Sequence, residues 1–172
     1  MSHNSKHGFT LFELIVTLAI SAIIVMIALP YFQQLMAKQE LKKITYSLES
    51  SLKIARSHAF IHHSNVVICP THDFNQCSNQ NWNTGFMIFI DRNKNRQIDN
   101  NEYILYTEKT ALKYGTLDWR GTLNIPSVTF NAQQGLPIGS NGSFFYCSTH
   151  IASKRLVLSK MGQTRAEDIN GC

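Results

Sequence analysis

Lys6-His7-Gly8-Phe9-Thr10-Leu11-Phe12-Glu13-Leu14 opens an apolar run that continues to Leu29, and this stretch decides how the rest of the chain is built. From Phe9 to Leu29 the one charged side chain is Glu13. About 21 residues at roughly 1.5 Å each give a helix of about 31 Å, the thickness of a bilayer's hydrocarbon core. A cleaved secretory signal would have a shorter apolar region, roughly 7 to 15 residues, ending at a small-x-small site. Here the run ends in Ala28-Leu29-Pro30-Tyr31. A plain anchor accounts for the length but not for the acid, which costs about 2.5–3.5 kcal/mol at the centre of a span and less near its end. A carboxylate kept in such a segment marks a function that involves a partner.

Working outward, Ala37, Leu41, Ile44, Leu48, Ala55 and Ala59 recur at spacings of three, four or seven. They form an apolar stripe on an otherwise polar helix, with Lys38, Lys42, Lys43, Lys53 and Arg56 on a solvated face. Pro30 lies inside this continuation, where its missing N–H and its ring are expected to bend the helix or melt it locally. After about His62 the period changes to two. Residues 65–69, 86–91, 103–107, 127–130, 143–147 and 154–158 read as short strands separated by Gly-, Asn- and Pro-containing turns. Short links favour antiparallel pairing. The fold class is therefore α+β, a long N-terminal helix whose stripe buries against a small antiparallel sheet assembly. About 110 residues follow the helix, enough for one domain with its own core.

The formal net charge of +5 is unevenly spread, with basic ends and a mildly acidic middle. Cys69, Cys77, Cys147 and Cys172 allow three pairings. Closure of the short loop between Cys69 and Cys77, and tethering of the tail through Cys147 and Cys172, are favoured. They point to an oxidising compartment. Zinc is the alternative, and the absence of a C-x-x-C spacing weakens it.

Residues Gly8-Phe9-Thr10-Leu11-Phe12-Glu13-Leu14 resemble the leader of type IV prepilins and type II secretion pseudopilins. Further along, Val67-Ile68-Cys69-Pro70, the Trp82-to-Asn95 segment and Arg155-Leu156-Val157-Leu158-Ser159-Lys160-Met161-Gly162 are similar to the GspH/FimT family of minor pilins and pseudopilins. The resemblance implies a pilin-like fold with a leader at residues 1–8, a membrane-spanning and filament-core helix at 9–29, an amphipathic continuation at 30–62 and a periplasmic β-rich domain at 63–172. It implies that a prepilin peptidase cuts after Gly8 and methylates Phe9. Glu13 would pair with the N-terminal ammonium of a neighbouring subunit, so that two charges costly in lipid offset one another. Pro30 falls where the family commonly carries a proline. The implied partners are other pilins or pseudopilins, the peptidase and the inner membrane, with no small-molecule substrate and no cofactor. Pilus and secretion machine share the leader and helix, so both roles stay open.

Some pilus members of this family bind DNA through a Gly-Arg-x-Arg motif. The matching positions here are Gly162, Gln163, Thr164 and Arg165, so the first arginine is missing. Lys154, Arg155, Lys160 and Arg165 are the candidate phosphate contacts, opposed by Glu167 and Asp168. Solvated strand-end charges with Gly162 in a turn is the favoured reading. From Asp91 to Glu102, Asp or Asn occupy positions one, three, five and nine of a calcium-loop pattern, with Glu at twelve. Arg96 replaces the required glycine, and Arg92, Lys94 and Arg96 repel a cation, so a hairpin turn held by Asx hydrogen bonds is preferred. His58 and His62 stand one turn apart with no glutamate between them as zinc hydrolases have, and there is no Gly-x-Ser-x-Gly or phosphate-binding loop. An enzyme is not expected.

Overall fold

The computed structural model describes residues 10–172, so the leader expected at 1–8, with Gly8 and Phe9, lies outside the described residues. Helix α1 runs from Leu11 to His62 without interruption. Thr10 caps it, its hydroxyl accepting from the Glu13 backbone N–H at 3.2 Å, and Glu13 at the third helical position completes the Thr-x-x-Glu pattern of a capping box. His63 ends the helix in the left-handed conformation.

The sequence leads one to expect a bend or local melting at Pro30, and melting does not occur: the backbone is helical on both sides of the proline. One missing N–H within 52 helical residues is a local loss, and the turns around it hold the geometry.

Eight strands follow: β1 Asn65–Pro70, β2 Gly85–Asp91, β3 Ile104–Lys109, β4 Thr116–Gly121, β5 Val128–Phe130, β6 Gly142–Cys147, β7 Ser153–Leu158 and β8 Thr164–Ile169. They form two four-stranded antiparallel sheets, ordered β3-β2-β1-β5 and β4-β6-β7-β8. Both β4 and β8 were absent from the sequence reading. Each is terminal in its sheet; β4 buries only Leu117 and Trp119, and β8 buries nothing fully, so apolar alternation is weak or missing.

The stripe Ala37, Leu41, Ile44, Leu48, Leu52, Ala55 and Ala59 is buried against inward-facing residues of both sheets, including Val66, Ile68, Phe86, Ile88, Phe130, Phe144 and Leu158. Alanines at 37, 55 and 59 let the helix approach closely. Aromatic rings join the layers: Trp82, just before β2, meets Phe144 of β6 edge-on at 4.8 Å, and Trp119 lies 4.5 Å from the same ring. Strand β2 is buried on both faces, since Val67, Cys69, Met87 and Phe89 build a second small core with Cys77 and Ile98 behind the first sheet. The disulfide loop and the Asp91–Glu102 turn are therefore lids on a sheet face, not free excursions.

Candidate functional site

The first half of α1 presents a surface with no use in water. Leu11, Phe12, Ile15, Leu18, Ile23, Ile24, Met26 and Ile27 are all exposed, and the most apolar window of this helix, of mean hydropathy 2.6, buries none of itself in the molecule. The Thr17 and Ser21 hydroxyls bond back to the carbonyls of Leu14 and Thr17 at 2.9 and 2.7 Å, which satisfies both within the helix. Glu13 stands exposed one turn into this surface and forms no ion pair among the described residues. The arrangement is an apolar rod with a single anionic point near its start.

Two disulfides close the domain. Cys69 pairs with Cys77 and Cys147 with Cys172, with Cα separations of 5.6 and 6.0 Å. The first pins the loop over the second core; within it the Thr71 hydroxyl donates to the Gln76 carbonyl at 2.7 Å and accepts from the Phe74 N–H at 3.0 Å. The second ties the tail to the end of β6.

The four cations weighed for DNA are not equivalent. Lys154 pairs with Asp168 at 3.0 Å, and Glu167 takes both Arg155 and Arg165. The Arg155 guanidinium holds the Glu167 carboxyl below the usual range. Only Lys160, exposed in the β7–β8 turn, has no ion-pair partner among the described residues. Gly162 closes that turn with φ +73°, a conformation most side chains avoid.

The Asp91–Glu102 segment is satisfied internally. Asp91 is fully buried and accepts from the Asn95 and Arg96 backbone N–H groups at 3.2 and 3.1 Å, and burial pushes its carboxyl up. The Asn93 and Asn95 amides donate to Asp99 at 2.6 and 2.8 Å, while Glu102 accepts from the Arg92 and Asp99 N–H groups. Its carboxylates are spent on the turn. His58 and His62 stack with ring centroids 5.4 Å apart, and no group of three metal-ligating side chains converges among the described residues.

One functional carboxylate escaped the sequence reading. Glu40, on the polar flank of the stripe, accepts from the backbone N–H groups of Lys113 and Tyr114 at 2.6 and 3.1 Å and from the Tyr146 hydroxyl at 2.8 Å. It clamps the helix to the loop before β4 and to β6. Burial, with Glu40 beside it, pushes the Tyr146 phenol well up. Sequence offers no signal for this, because Glu40 reads as one more charge on a solvated face.

An uncovered apolar rod ahead of a domain that closes on the second half of the same helix defines a pilin-like filament subunit, a minor pilin or pseudopilin. Comparison with known proteins agrees. A family model described as type II transport protein GspH matches residues 45–162, and one for the prokaryotic N-terminal methylation motif matches residues 3–29. The chain belongs to the GspH family and carries the N-methylation motif. Its fold is that of the type IV minor pilin FimU from Pseudomonas aeruginosa. One crystal form is 18% identical with TM-score 0.56, covering 78% of this chain and 96% of that one. A second form gives 18%, 0.52, 76% and 98%. No curated protein matches the chain.

Proposed function

We propose that the chain is stored in the inner membrane through residues 9–29, loses its leader 1–8 to a prepilin peptidase and enters a type IV pilus as a minor subunit, with residues 63–172 in the periplasm until extraction. The observation that carries this is the exposed apolar half of α1 with Glu13 as its one charge. In lipid that carboxylate is costly alone and is offset when a neighbour's N-terminal ammonium lies beside it. The likeness to FimU supports the pilus as the setting. The name of the family model favours a second reading, a pseudopilin of a type II secretion filament, which needs the same rod and the same pairing. DNA at the filament tip has less support, because three of its four candidate cations already have carboxylate partners.

The test is made in cells that assemble the filament. Gly8→Val should leave the precursor uncut in the membrane, as read by mass. Glu13→Ala should be cut and inserted yet enter sheared filaments at least about tenfold less, the loss of a counter-charge from a buried pair costing roughly 3–5 kcal/mol. Normal incorporation of Glu13→Ala removes the pairing role. Assigning the filament takes deletion of the gene, with pilus display and protein secretion scored side by side.

A further inference from the structure

We propose that the Cys147–Cys172 disulfide is a thiol–disulfide exchange site on the folded domain and a latch on β8. It takes a dithiol, or the disulfide formed from one, the chemistry of a thiol oxidoreductase. Cys69–Cys77 is closed to the same reagent. The inference goes beyond the filament reading and holds whichever filament the chain enters.

The two bonds differ in what surrounds them. Cys69 is 1% exposed and packs with Met87 and Phe89 in the second core, with Cys77 half-buried against it. The loop between them is braced, since the Ser78 N–H donates to the Pro70 carbonyl at 2.8 Å and the Thr71 hydroxyl spans the turn. A thiolate that reached Cys77 would have to expel Cys69 as an anion into that apolar core, where a thiol's pKa is raised and it leaves poorly. The second bond faces water. Cys172 is exposed and Cys147 half-buried, and both line an open groove of about 540 Å³ with Ser148, His150 and Ser153. Attack on Cys172 expels Cys147 into this groove.

The same bond holds the weakest strand. Cys147 ends β6 and Cys172 follows β8, and β7 lies between those strands in the sheet, so the bond reaches across a strand. Strand β8 is terminal, pairs only with β7 from Thr164↔Leu158 to Ile169↔Ser153, and buries no residue fully. Its side-chain ties to β7 are the pairs Lys154–Asp168 and Arg155–Glu167. Opening the bond leaves β8 on one ladder and partly solvated ion pairs, which hold an edge strand weakly. The helix and both cores keep their contacts.

The chemistry balances without a further reagent. One thiolate of the dithiol attacks Cys172 Sγ, the bond between the two protein sulfurs breaks, and Cys147 leaves as a thiolate. The second thiolate of the reagent then attacks its own sulfur in the mixed disulfide and releases Cys172. Two electrons pass to the protein, the dithiol becomes a disulfide, and the protons of its two thiols end on Cys147 and Cys172. Closure runs the same steps backward.

The experiment uses the full chain in detergent with dithiothreitol as the probe. Aliquots are alkylated over time and the labelled cysteines mapped by mass, while fluorescence of Trp82 and Trp119 reports the fold. Cys147 and Cys172 should be labelled at least about tenfold faster than Cys69 and Cys77, with fluorescence still native. Hydrogen exchange over residues 164–169 should then rise by at least about tenfold while that of β1 and β2 holds, and Cys172→Ser should show the same rise with no reductant. Equal rates for the two pairs, faster labelling of Cys69 and Cys77, or labelling that appears only as fluorescence is lost overturns the exchange site. Unchanged exchange over residues 164–169 in both the reduced chain and Cys172→Ser overturns the latch.

Discussion

The two halves of α1 are one unbroken helix built for two solvents. Before about Leu35 the large apolar side chains are exposed on every side, Leu11 at 78% and Met26 at 75%, whereas Ala37, Ala55 and Ala59 are fully buried. Continuity of the backbone does not separate them. The pattern does: the first half is apolar all round, which suits lipid or a bundle of like helices, and the second is apolar in one stripe, which suits a sheet on one side and water on the other. The difference teaches that stability and assembly are assigned to different lengths of the same element. A change in one half should leave the property of the other alone.

The largest effect expected from breaking that division lies in the core under the second half. Phe86, fully buried on β2, packs beside Trp82 with ring centroids 5.9 Å apart. Phe86→Ala should cost about 3–5 kcal/mol of domain stability through lost burial and the cavity left behind. Ile23→Ala, in the exposed half, should change it by less than about 0.5 kcal/mol. Urea unfolding of the full chain in detergent, followed by fluorescence of Trp82 and Trp119, reads both. If Ile23→Ala destabilises the domain comparably, the two halves form one cooperative unit and the comparison fails.

A smaller effect sits at the seam. Glu40 belongs to the helix by sequence and to the second sheet by its bonds, since its carboxylate takes the Lys113, Tyr114 and Tyr146 donors. Glu40→Ala leaves those donors unpaired and should cost about 2–3 kcal/mol, and Glu40→Gln, which keeps an acceptor oxygen, less. Hydrogen exchange at the Lys113 and Tyr114 amides should rise in Glu40→Ala. Unchanged exchange there would show that the sheet holds the loop without the helix.

The sequence announced the helix and its two halves because period and length are written in it, and the long apolar run, the stripe at 37–59 and six of the strands are all local patterns. What it did not announce depends on distance. Strand β8, Thr-Arg-Ala-Glu-Asp-Ile, has no apolar alternation and exists because β7 offers it a ladder. Its acids were legible as opposing the cations around Gly162, but the register that seats Asp168 opposite Lys154 and Glu167 opposite Arg155 was not. Glu40 is separated from Tyr146 by 106 positions, and no spacing rule reaches that far. The division of the cysteines was favoured from closure of the first short loop and tethering of the tail, while the reason for the first disulfide, a second core on the back of β1 and β2, needed the sheet.

Tyr146 gives the smallest and most discriminating prediction, because it tests the seam by pH. Its phenol is buried and donates to Glu40, and both burial and the neighbouring carboxylate favour the neutral form, so its pKa lies above the ordinary 10.0. The unfolded chain ionises this tyrosine near pH 10 while the folded chain keeps the proton, so the folded state binds more protons there. Stability from this group is therefore complete below pH 10 and is lost as pH rises above it toward the folded value. Tyr146→Phe removes the hydrogen bond, keeps the ring over Gly115, and should cost about 1–1.5 kcal/mol at neutral pH. Since the variant has no phenol to ionise, its stability should fall less steeply above pH 10, and the two curves should converge. Parallel curves would mean that the phenol reaches solvent in the folded chain, and the clamp between the helix and the second sheet would then have to rest on the two backbone donors alone.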